Sequence, residues 1–405
     1  MTRTDDLQRK LRLANRRKQL TAVGLLSPAL ILMLAAFVFP ILSLLTSAVH
    51  APEFRTAMPR LAAWLEKWDG KALPDEAAYA LVVLEFGRAM ERKTLARVST
   101  RLNYEKSGLR SLAMKTGRSA KDLQPPYRVS LVNRDAAWDD LATWRALKNA
   151  SSLLTDRFVL QSLDLERQID TGIQRVPPGQ RVYIDRLEVT FWISIVVTVL
   201  TAAIGYPMAY AMAMANKTVG RTLFILVLLP FWVSVLVRTA AWVVLLQKEG
   251  IINGALLSLG LVSEPQQLIF NRLGVYVAMV HVLLPFLVLP LYSVMKNIPR
   301  DHARAAASLG ANPFSAFLTV YFPQTMPGLG AGCLLVFILA IGFYITPALV
   351  GGSSDQMISA IIAELALGTA NWGLASALAL VLLCCVAVVY PVFGRYSGAT
   401  GLRIG

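Results

Sequence analysis

The chain has 405 residues, of which 55% are hydrophobic and only 16% are charged, whereas an ordinary globular domain has roughly 25% charged residues. This composition excludes an ordinary cytosolic enzyme, and the many apolar and aromatic residues exclude a disordered chain. The net charge of +15 raises the question of nucleic acid, but we expect no such partner, because membrane topology accounts for the basic residues first.

Six apolar stretches are long enough to cross a membrane, since a span needs about 20 mainly apolar residues. The third stretch is interrupted only by Arg238. The fifth span begins late, because Gly310, Pro323 and Pro327 break the uncharged run before it. The predicted spans lie at residues 22–47, 187–215, 222–247, 273–295, 328–350 and 372–394.

Lys and Arg in the short flanking segments set the orientation, because cytoplasmic segments carry the excess of these residues. With the N-terminus inside, the cytoplasmic flanks hold fourteen of them and the short outer loops hold two, Lys248 and Arg272. We therefore expect a multi-pass protein of the bacterial inner membrane with a basic cytoplasmic segment at residues 1–21 and a cytoplasmic tail at residues 395–405. The first apolar run is too long for the core of a cleaved signal peptide.

A charged insert at residues 48–186 lies between the first two spans and should face outside. It holds 23 Lys/Arg and 17 Asp/Glu, and its pattern predicts several helices, including one at residues 74–104 and one at residues 135–149. The latter places three apolar side chains on one face: Trp138, Trp144 and Leu147. Because the insert has no metal-ligand cluster and no nucleophile–base pair, we expect a docking or stabilising domain. An elaboration without a function of its own is the alternative.

The remaining spans form a five-helix core at residues 187–394, which contains a cytoplasmic loop at residues 296–327. This loop is helical in pattern and apolar, although it should face the cytosol. An exposed apolar segment needs a docking partner, and Phe314 contributes to the apolar area here.

Local signals predict that this loop folds as two short helices. The first runs from Arg300 to Leu309, and Gly310 supplies the left-handed residue that ends it. Asn312 and Pro313 cap and start the second helix, and Pro323 is expected to stop it near the membrane. We call this predicted unit the elbow (residues 300–323).

The elbow resembles the cytoplasmic loop of binding-protein-dependent ABC importer permeases, in which E-A-A is followed after three residues by G and after nine more by I-x-L-P. The chain keeps the spacing and changes three letters. Arg304 replaces the Glu and reverses its charge, and Asp301, one turn earlier, offers a carboxylate that could partly substitute for it. The matching positions are Arg304, Ala305, Ala306, Gly310, Val320, Phe322 and Pro323.

Motifs elsewhere in the core resemble the spermidine/putrescine branch of these permeases, although the insert is larger than the first outer loop of compact members. The motifs are Gly205-Tyr206-Pro207-x-Ala209-Tyr210, the stretch Pro230 to Trp242, Gly250-Ile251-Ile252-Asn253, the stretch Leu284 to Tyr292, and the stretch Phe343 to Gly352.

The resemblance implies a transport subunit with no catalytic residues, no metal site and no cofactor. It also implies cytoplasmic ATP-binding subunits, a second permease subunit that is either identical or different, and a periplasmic solute-binding protein as partners, in addition to the lipid bilayer. The chain has no G-x-x-x-x-G-K-[ST] loop, so ATP must be hydrolysed on another chain.

Five residues are candidates for the translocation pathway, because polar groups inside a membrane are by default functional hypotheses and aromatic faces attract cations. They are Trp232, Arg238, Trp242, Tyr344 and Glu364. Arg238 either snorkels to the outer interface or pairs with a carboxylate and locks an outer gate; the candidate partners are Glu188, Asp355 and Glu364.

The aromatic residues either face a protonated amine or anchor the membrane interface. Glu364, in a helical outer segment at residues 355–371, is the acidic candidate for meeting cationic cargo, and His281 fits a hydrogen-bonded packing residue better than a proton relay.

We therefore predict an all-α polytopic membrane protein with six transmembrane helices and an inserted helical extracytoplasmic domain. Its predicted function is ATP-driven import of a small solute by alternating access, with a polyamine such as spermidine or putrescine as the expected cargo. The alternatives are a secondary transporter driven by an ion gradient, a permease of the same family for another small organic solute, and a membrane-tethered scaffold whose insert is the working part.

Overall fold

The computed structural model describes residue 21, residues 23–168 and residues 172–396. The predicted basic segment at residues 1–21 and the predicted tail at residues 395–405 lie almost entirely outside these residues. The chain divides after Phe158 into two compact units. The secondary structure of the described residues is helical except for one two-stranded sheet.

The first unit begins with a long apolar helix and continues with short helices. Helix α1 (Val23–Thr46) is long and apolar enough to cross a membrane, as the first predicted span requires. The helices that follow are α2 (Glu53–Ala57), α3 (Pro59–Lys67), α4 (Glu76–Glu91), α5 (Leu95–Glu105), α6 (Leu109–Ser119), α7 (Tyr127–Arg134), α8 (Leu141–Ser151) and α9 (Arg157–Ser162).

Two tryptophans hold the core of the short-helix region together. The carbonyl of Trp138 accepts hydrogen bonds from Tyr79 Oη and from Trp144 Nε1, each at 3.0 Å, and Trp138 Nε1 donates to Thr116 Oγ1 at 3.1 Å. Because each polar tip has a partner, a hydrogen bond within the protein replaces the one lost to water, and these large rings can be fully buried. Trp138, Trp144 and Leu147 are at most 1% exposed and share one core. The single helix predicted at residues 135–149 is wrong, however, because Trp138 lies on a separate 3₁₀ turn at Ala136–Asp139 and Asp140 is extended before α8 begins.

The single helix predicted at residues 74–104 is wrong, because α4 and α5 are separate helices. Lys93 takes a left-handed conformation with φ of +58°, and Thr94 N donates to the carbonyl of Ala89 at 2.9 Å. This hydrogen-bonded ending is usually built with glycine. A lysine at that position gave no signal in the sequence.

The second unit begins with a hairpin and continues with the helices of the core. Strands β1 (Leu165–Gln168) and β2 (Gly172–Arg175) pair antiparallel, and this hairpin is a departure from the purely helical insert that we predicted. The helices are α10 (Tyr183–Met214), α11 (Lys217–Leu228), α12 (Val235–Leu246), α13 (Ile251–Ser258), α14 (Arg272–Asn297), α15 (Arg300–Ser308), α16 (Pro313–Gly342), α17 (Ile345–Val350), α18 (Ile358–Gly368) and α19 (Trp372–Tyr396).

Five described helices are long and apolar enough to cross a membrane, and the count is six if one bent pair forms a span. The bent pair joins residues 217–232 to residues 235–258 at 98°, so the segment predicted as a span at residues 222–247 is broken near its middle and is not one continuous helix. The chain makes a 3₁₀ turn that contains Pro230, and Val233 is then extended. Proline lacks the amide that would continue the helix, which explains why the break falls here.

Helices α10, α14 and α16 pack closely to form the centre of the second unit. A Cβ at Gly332 would lie 3.0 Å from the carbonyl oxygen of Leu287, and a Cβ at Gly328 would lie 2.9 Å from Val294. Two glycines one turn apart on α16 therefore let its backbone approach α14. Small residues at such contacts are typical of helix pairs in membranes.

The buried tryptophan core predicts unequal effects of two identical substitutions. Leu147→Ala, at 1% exposure, should lower the free energy of unfolding by about 2–5 kcal/mol because it leaves a cavity. Leu84→Ala, at 39% exposure, should change it by less than about 1 kcal/mol. Denaturant unfolding of the purified chain, followed by tryptophan fluorescence, measures both. Equal effects of the two substitutions would contradict the assignment of this core.

Candidate functional site

The first arm of the elbow is α15, which carries the predicted residues Ala305 and Ala306. Ala305 is exposed and Ala306 is half-buried, so the face that they share is accessible. Arg304 NH1 lies 3.5 Å from Asp301 Oδ1, and both side chains are mostly exposed. The carboxylate therefore offsets part of the charge of Arg304, although an exposed pair contributes little stability.

The turn of the elbow has the geometry that the sequence predicts. Gly310 has φ of +90°, and the amide after it donates to the carbonyl of Ala306 at 3.0 Å, which closes the helix end. Asn312 Oδ1 accepts a hydrogen bond from Ser315 N at 2.7 Å, and Pro313 lies in the first turn of the next helix. The left-handed end, the asparagine cap and the proline start are confirmed.

Pro323 does not end the second arm, contrary to the prediction. Helix α16 continues from Pro313 to Gly342 and contains a π-helical turn at Phe317–Tyr321, where Phe322 N donates to the carbonyl of Phe317. A wider turn directly before a proline makes room for the ring that would clash in a regular helix. The second arm and the fifth span are therefore one helix, and the predicted span boundaries at residues 328 and 350 are wrong.

One side of the elbow is apolar and exposed. Leu309 is 89% exposed, Phe314 is 71% exposed and Leu318 is 44% exposed. Val320 is half-buried further along the same helix. Exposed apolar area of this kind, presented on a rigid turn, is typical of a docking surface.

Less exposed side chains of the second arm contact α10 through aromatic rings. Tyr210 packs edge-on against Phe317 and Tyr321, with ring centroids 5.7 and 5.5 Å apart. Tyr206 lies 5.6 Å from the ring of Phe322. We call these five rings the aromatic cluster. No role was predicted for Tyr206 or Tyr210 from the sequence, although both belong to the motif that carries the family resemblance.

Polar contacts support the aromatic cluster. Tyr206 Oη and Thr325 Oγ1 are 3.1 Å apart and hydrogen-bonded, which joins α10 to α16. His302 Nδ1 and Gln324 Oε1 are 2.8 Å apart, which joins the first arm of the elbow to the second. The elbow is therefore fixed to the span helices at its inner side.

Two of the five pathway candidates lie together on α12. Arg238 and Trp242 are one turn apart, and Trp242 Nε1 donates to Nδ1 of His281 on α14 at 3.1 Å. This hydrogen bond fits the predicted packing role of His281. Next to them, Thr239 and Thr346 share a hydrogen bond of 2.9 Å, which connects α12 to α17.

The predicted ion pair of Arg238 is not formed. Among the described residues, Arg238 Nε is buried without a hydrogen-bond partner, and no carboxylate lies within ion-pair distance of this side chain. Asp355 instead pairs with Arg272 at 2.9 Å. Glu188 and Glu364 are exposed, and neither lies within ion-pair distance of Arg238.

The other three pathway candidates are not connected to Arg238 and Trp242. Trp232 is 79% exposed and Tyr344 is 41% exposed, and Glu364 is exposed on the last, π-helical turn of α18. Within the described ranges, no hydrogen bond, ion pair or ring contact connects these residues to Arg238 or Trp242. The helical segment predicted around Glu364 is confirmed as α18.

A set of polar contacts, which we call the clamp, holds the segment after α17. Arg272 Nε donates to Asp355 Oδ1 at 2.9 Å, and Arg186 donates to the carbonyl of Ser354 at 2.8 Å. Ile358 N donates to Thr190 Oγ1 at 2.8 Å. The clamp thus ties this segment to the first turns of both α10 and α14. In the described part of the chain, no three His, Cys, Asp or Glu side chains are placed to hold a metal ion.

The family is decided by a sequence profile. The profile described as "Binding-protein-dependent transport system inner membrane component" matches residues 191–396, from α10 to α19. The chain belongs to this family. It is therefore a multi-pass inner-membrane permease of an ABC importer, and the predicted family resemblance and all-α polytopic fold class are confirmed. The insert lies outside the matched residues.

Individual relatives are similar over about half of the chain. The spermidine/putrescine transport system permease protein PotB of Haemophilus influenzae is 36% identical over 200 residues, which are 49% of this chain and 70% of that protein. The inner membrane ABC transporter permease protein YdcU of Escherichia coli is 31% identical over 224 residues, 52% of this chain and 70% of that protein. A crystal structure of a bacterial ABC transporter that imports alginate matches with a TM-score of 0.45 and 18% identity over 54% of this chain and 80% of that chain.

The clamp predicts that removal of the Arg272 side chain destabilises the protein through the buried carboxylate of Asp355. Asp355 is buried, whereas the Arg272 side chain is 41% exposed. Arg272→Ala leaves a buried carboxylate without its cation and should cost about 3 kcal/mol. Thermal unfolding of the permease, with Arg272→Ala alone and with Asp355→Asn added, measures this effect. The double variant should recover part of the lost stability, and a double variant that is less stable than Arg272→Ala would contradict the argument.

Proposed function

We propose that this permease moves a small solute across the inner membrane by alternating access, driven by separate cytoplasmic ATP-binding subunits. The chain would carry no catalytic residue of its own. A second permease subunit completes the pathway, and a periplasmic solute-binding protein delivers the cargo. The elbow faces the cytosol in this proposal, together with both termini, as the distribution of Lys and Arg predicts.

One observation carries the proposal: Phe314 and Leu318, on the exposed apolar side of the elbow, belong to the same helix as a membrane span. Leu309 and Phe314 are among the most exposed large apolar residues of the described chain, and a docked ATP-binding subunit would cover them. Because α16 continues from the elbow to Gly342, a movement of the docked subunit is passed to the core along a continuous helix. This is how a rigid-body transition couples distant parts of a protein.

The insert is proposed to be an extracytoplasmic docking domain for the solute-binding protein. With the elbow inside, residues 48–186 face outside, because α1 and α10 precede and follow them. The helices of the insert have their own buried core around Trp138 and Trp144. A self-contained domain on this side of the membrane is accessible to a soluble partner.

The proposed cargo is a polyamine such as spermidine or putrescine. The support is similarity over the core to a permease named for spermidine and putrescine. A protonated amine is also attracted by aromatic faces, and Trp242 presents a half-buried ring.

A solute that carries a hydrogen-bond acceptor is the second candidate cargo. Arg238 lies one turn from Trp242, and Arg238 has no carboxylate partner in the described structure. An unpaired guanidinium repels a cation and binds carboxylate or carbonyl groups. If Arg238 lines the pathway, it favours a solute with such a group over a simple polyamine.

The energy source and the cargo can be tested in one assay. Vesicles that contain the permease with its ATP-binding, companion and solute-binding subunits should take up labelled spermidine only when ATP is enclosed. Collapse of the ion gradients should leave this uptake unchanged. Uptake that follows a gradient without ATP would instead establish a secondary transporter. Competition by unlabelled putrescine supports a polyamine, whereas competition only by an amino acid or another carboxylate supports the second candidate.

The elbow turn predicts a residue-specific loss of coupling. Gly310→Val places a β-branched side chain at φ of +90°, which costs more than about 1 kcal/mol of strain and should distort the elbow. Gly310→Asn is the matched control, because asparagine tolerates this conformation. Solute-stimulated ATP hydrolysis should fall at least about tenfold for the valine variant and stay within about twofold for the asparagine variant. Full stimulation in the valine variant, with normal membrane levels, would contradict the role of the elbow.

A further inference from the structure

The aromatic cluster differs from ordinary core packing, because its three hydroxyl groups are not equivalent. Tyr206 Oη is hydrogen-bonded to Thr325 Oγ1, and Thr325 Oγ1 contacts the carbonyl of Phe322 at 2.7 Å. Tyr321 Oη is also buried, but it has no hydrogen-bond partner in the described structure. The third tyrosine, Tyr210, is 37% exposed.

An unpartnered buried hydroxyl is unfavourable, because it has lost water and gained nothing in return. A phenylalanine would fill the same space at Tyr321 without this cost. The hydroxyl of Tyr321 is therefore destabilising in the arrangement described here. An arrangement that gave this hydroxyl a partner would be favoured in comparison.

The backbone at Tyr321 provides a way to change the arrangement. Tyr321 is the last residue of the π-helical turn at Phe317–Tyr321. A π turn contains one residue more than a regular turn, so its relaxation rotates the residues on one side relative to those on the other. The turn lies between the exposed docking side of the elbow and the span part of α16, so movement of the elbow must pass through it.

The contact across the cluster is suited to such a movement. The rings of Tyr210 and Tyr321 meet edge-on with centroids 5.5 Å apart, and Phe317 and Tyr321 stack with centroids 5.9 Å apart. Ring pairs are stable both edge-on and offset-stacked, so a ring can keep its contact in more than one arrangement. The Tyr206–Thr325 hydrogen bond is the directional contact that favours the present arrangement.

We propose that Tyr206 and Tyr321 are a pair of opposed positioning residues that set the balance between two arrangements of the elbow against α10. The Tyr206 hydroxyl stabilises the arrangement described here through Thr325. The Tyr321 hydroxyl stabilises the alternative arrangement, in which it gains a hydrogen-bond partner. The inference rests on the proposed function, since the elbow moves only if an ATP-binding subunit docks on it.

Two variants with the same chemical change test the proposal. Tyr321→Phe and Tyr206→Phe each remove one hydroxyl group and keep the ring. Tyr321→Phe should shift the balance toward the described arrangement, and Tyr206→Phe should shift it away, each by roughly fivefold. The first measurement is amide hydrogen exchange at residues 313–325 of the purified permease. Exchange should become slower in Tyr321→Phe and faster in Tyr206→Phe.

The second measurement is the ratio of basal to solute-stimulated ATP hydrolysis in the reconstituted transporter. A role in coupling requires that the two variants change this ratio in opposite directions, and that the double variant lies between them. Changes in the same direction, or no change in both, would overturn the proposal. A ratio that simply follows the thermal stability of each variant would also overturn it, because removal of an unpartnered hydroxyl and loss of a hydrogen bond change stability in opposite directions on their own. A wild-type permease that never assembles with an ATP-binding subunit would refute the proposed function instead, and hydrogen exchange would still decide whether the two hydroxyls are opposed.

Discussion

The rest of the structure depends on one constraint, the continuity of α16 through a proline. In the hydrocarbon core of a membrane no water is available for an unsatisfied backbone group, so a helix that crosses it has to keep its hydrogen bonds. Pro323 removes one donor, and the π turn before it lets the helix continue. Because the helix does not end there, the second arm of the elbow and the fifth span form one continuous helix. A displacement of the elbow therefore reaches the span, and the π turn is the place where the two parts can rotate against each other.

The packing of α16 determines what movement of this helix can do. Gly328 and Gly332 bring its backbone against α14, where close contact leaves little freedom to tilt in place. On the α10 side, the aromatic cluster and the Tyr206–Thr325 hydrogen bond hold the segment nearest to the elbow. Close backbone packing against α14 therefore resists a displacement of α16 on one side. On the α10 side only the aromatic cluster and one hydrogen bond resist it, so the helix can shift more easily there.

Features that depend on neighbouring residues in sequence could be predicted, and features that depend on the packed structure could not. The glycine end, the asparagine cap and the proline start of the elbow are local chemistry, and all three are present. Pro323 was expected to end a helix because the average cost of proline is high, but a π turn changes the local geometry. The partner of Asp355 was missed because Arg272 is far from it in sequence. The left-handed Lys93 carried no local signal at all.

The two ends of α14 lie next to contacts of different kinds. At its first turn, Arg272 joins the clamp through a buried carboxylate, and neighbouring hydrogen bonds fix the same segment to α10. At its last turn, α14 leads directly to the elbow, where ring contacts replace ion pairs. Ion pairs and hydrogen bonds in a buried setting have narrow geometric optima, whereas ring pairs are stable in both edge-on and offset-stacked arrangements. We infer that the clamp is the fixed end and the elbow is the mobile end. If an ATP-binding subunit docks on the elbow, the separation of α16 from α10 would then change most near the elbow, where the aromatic cluster joins the two helices.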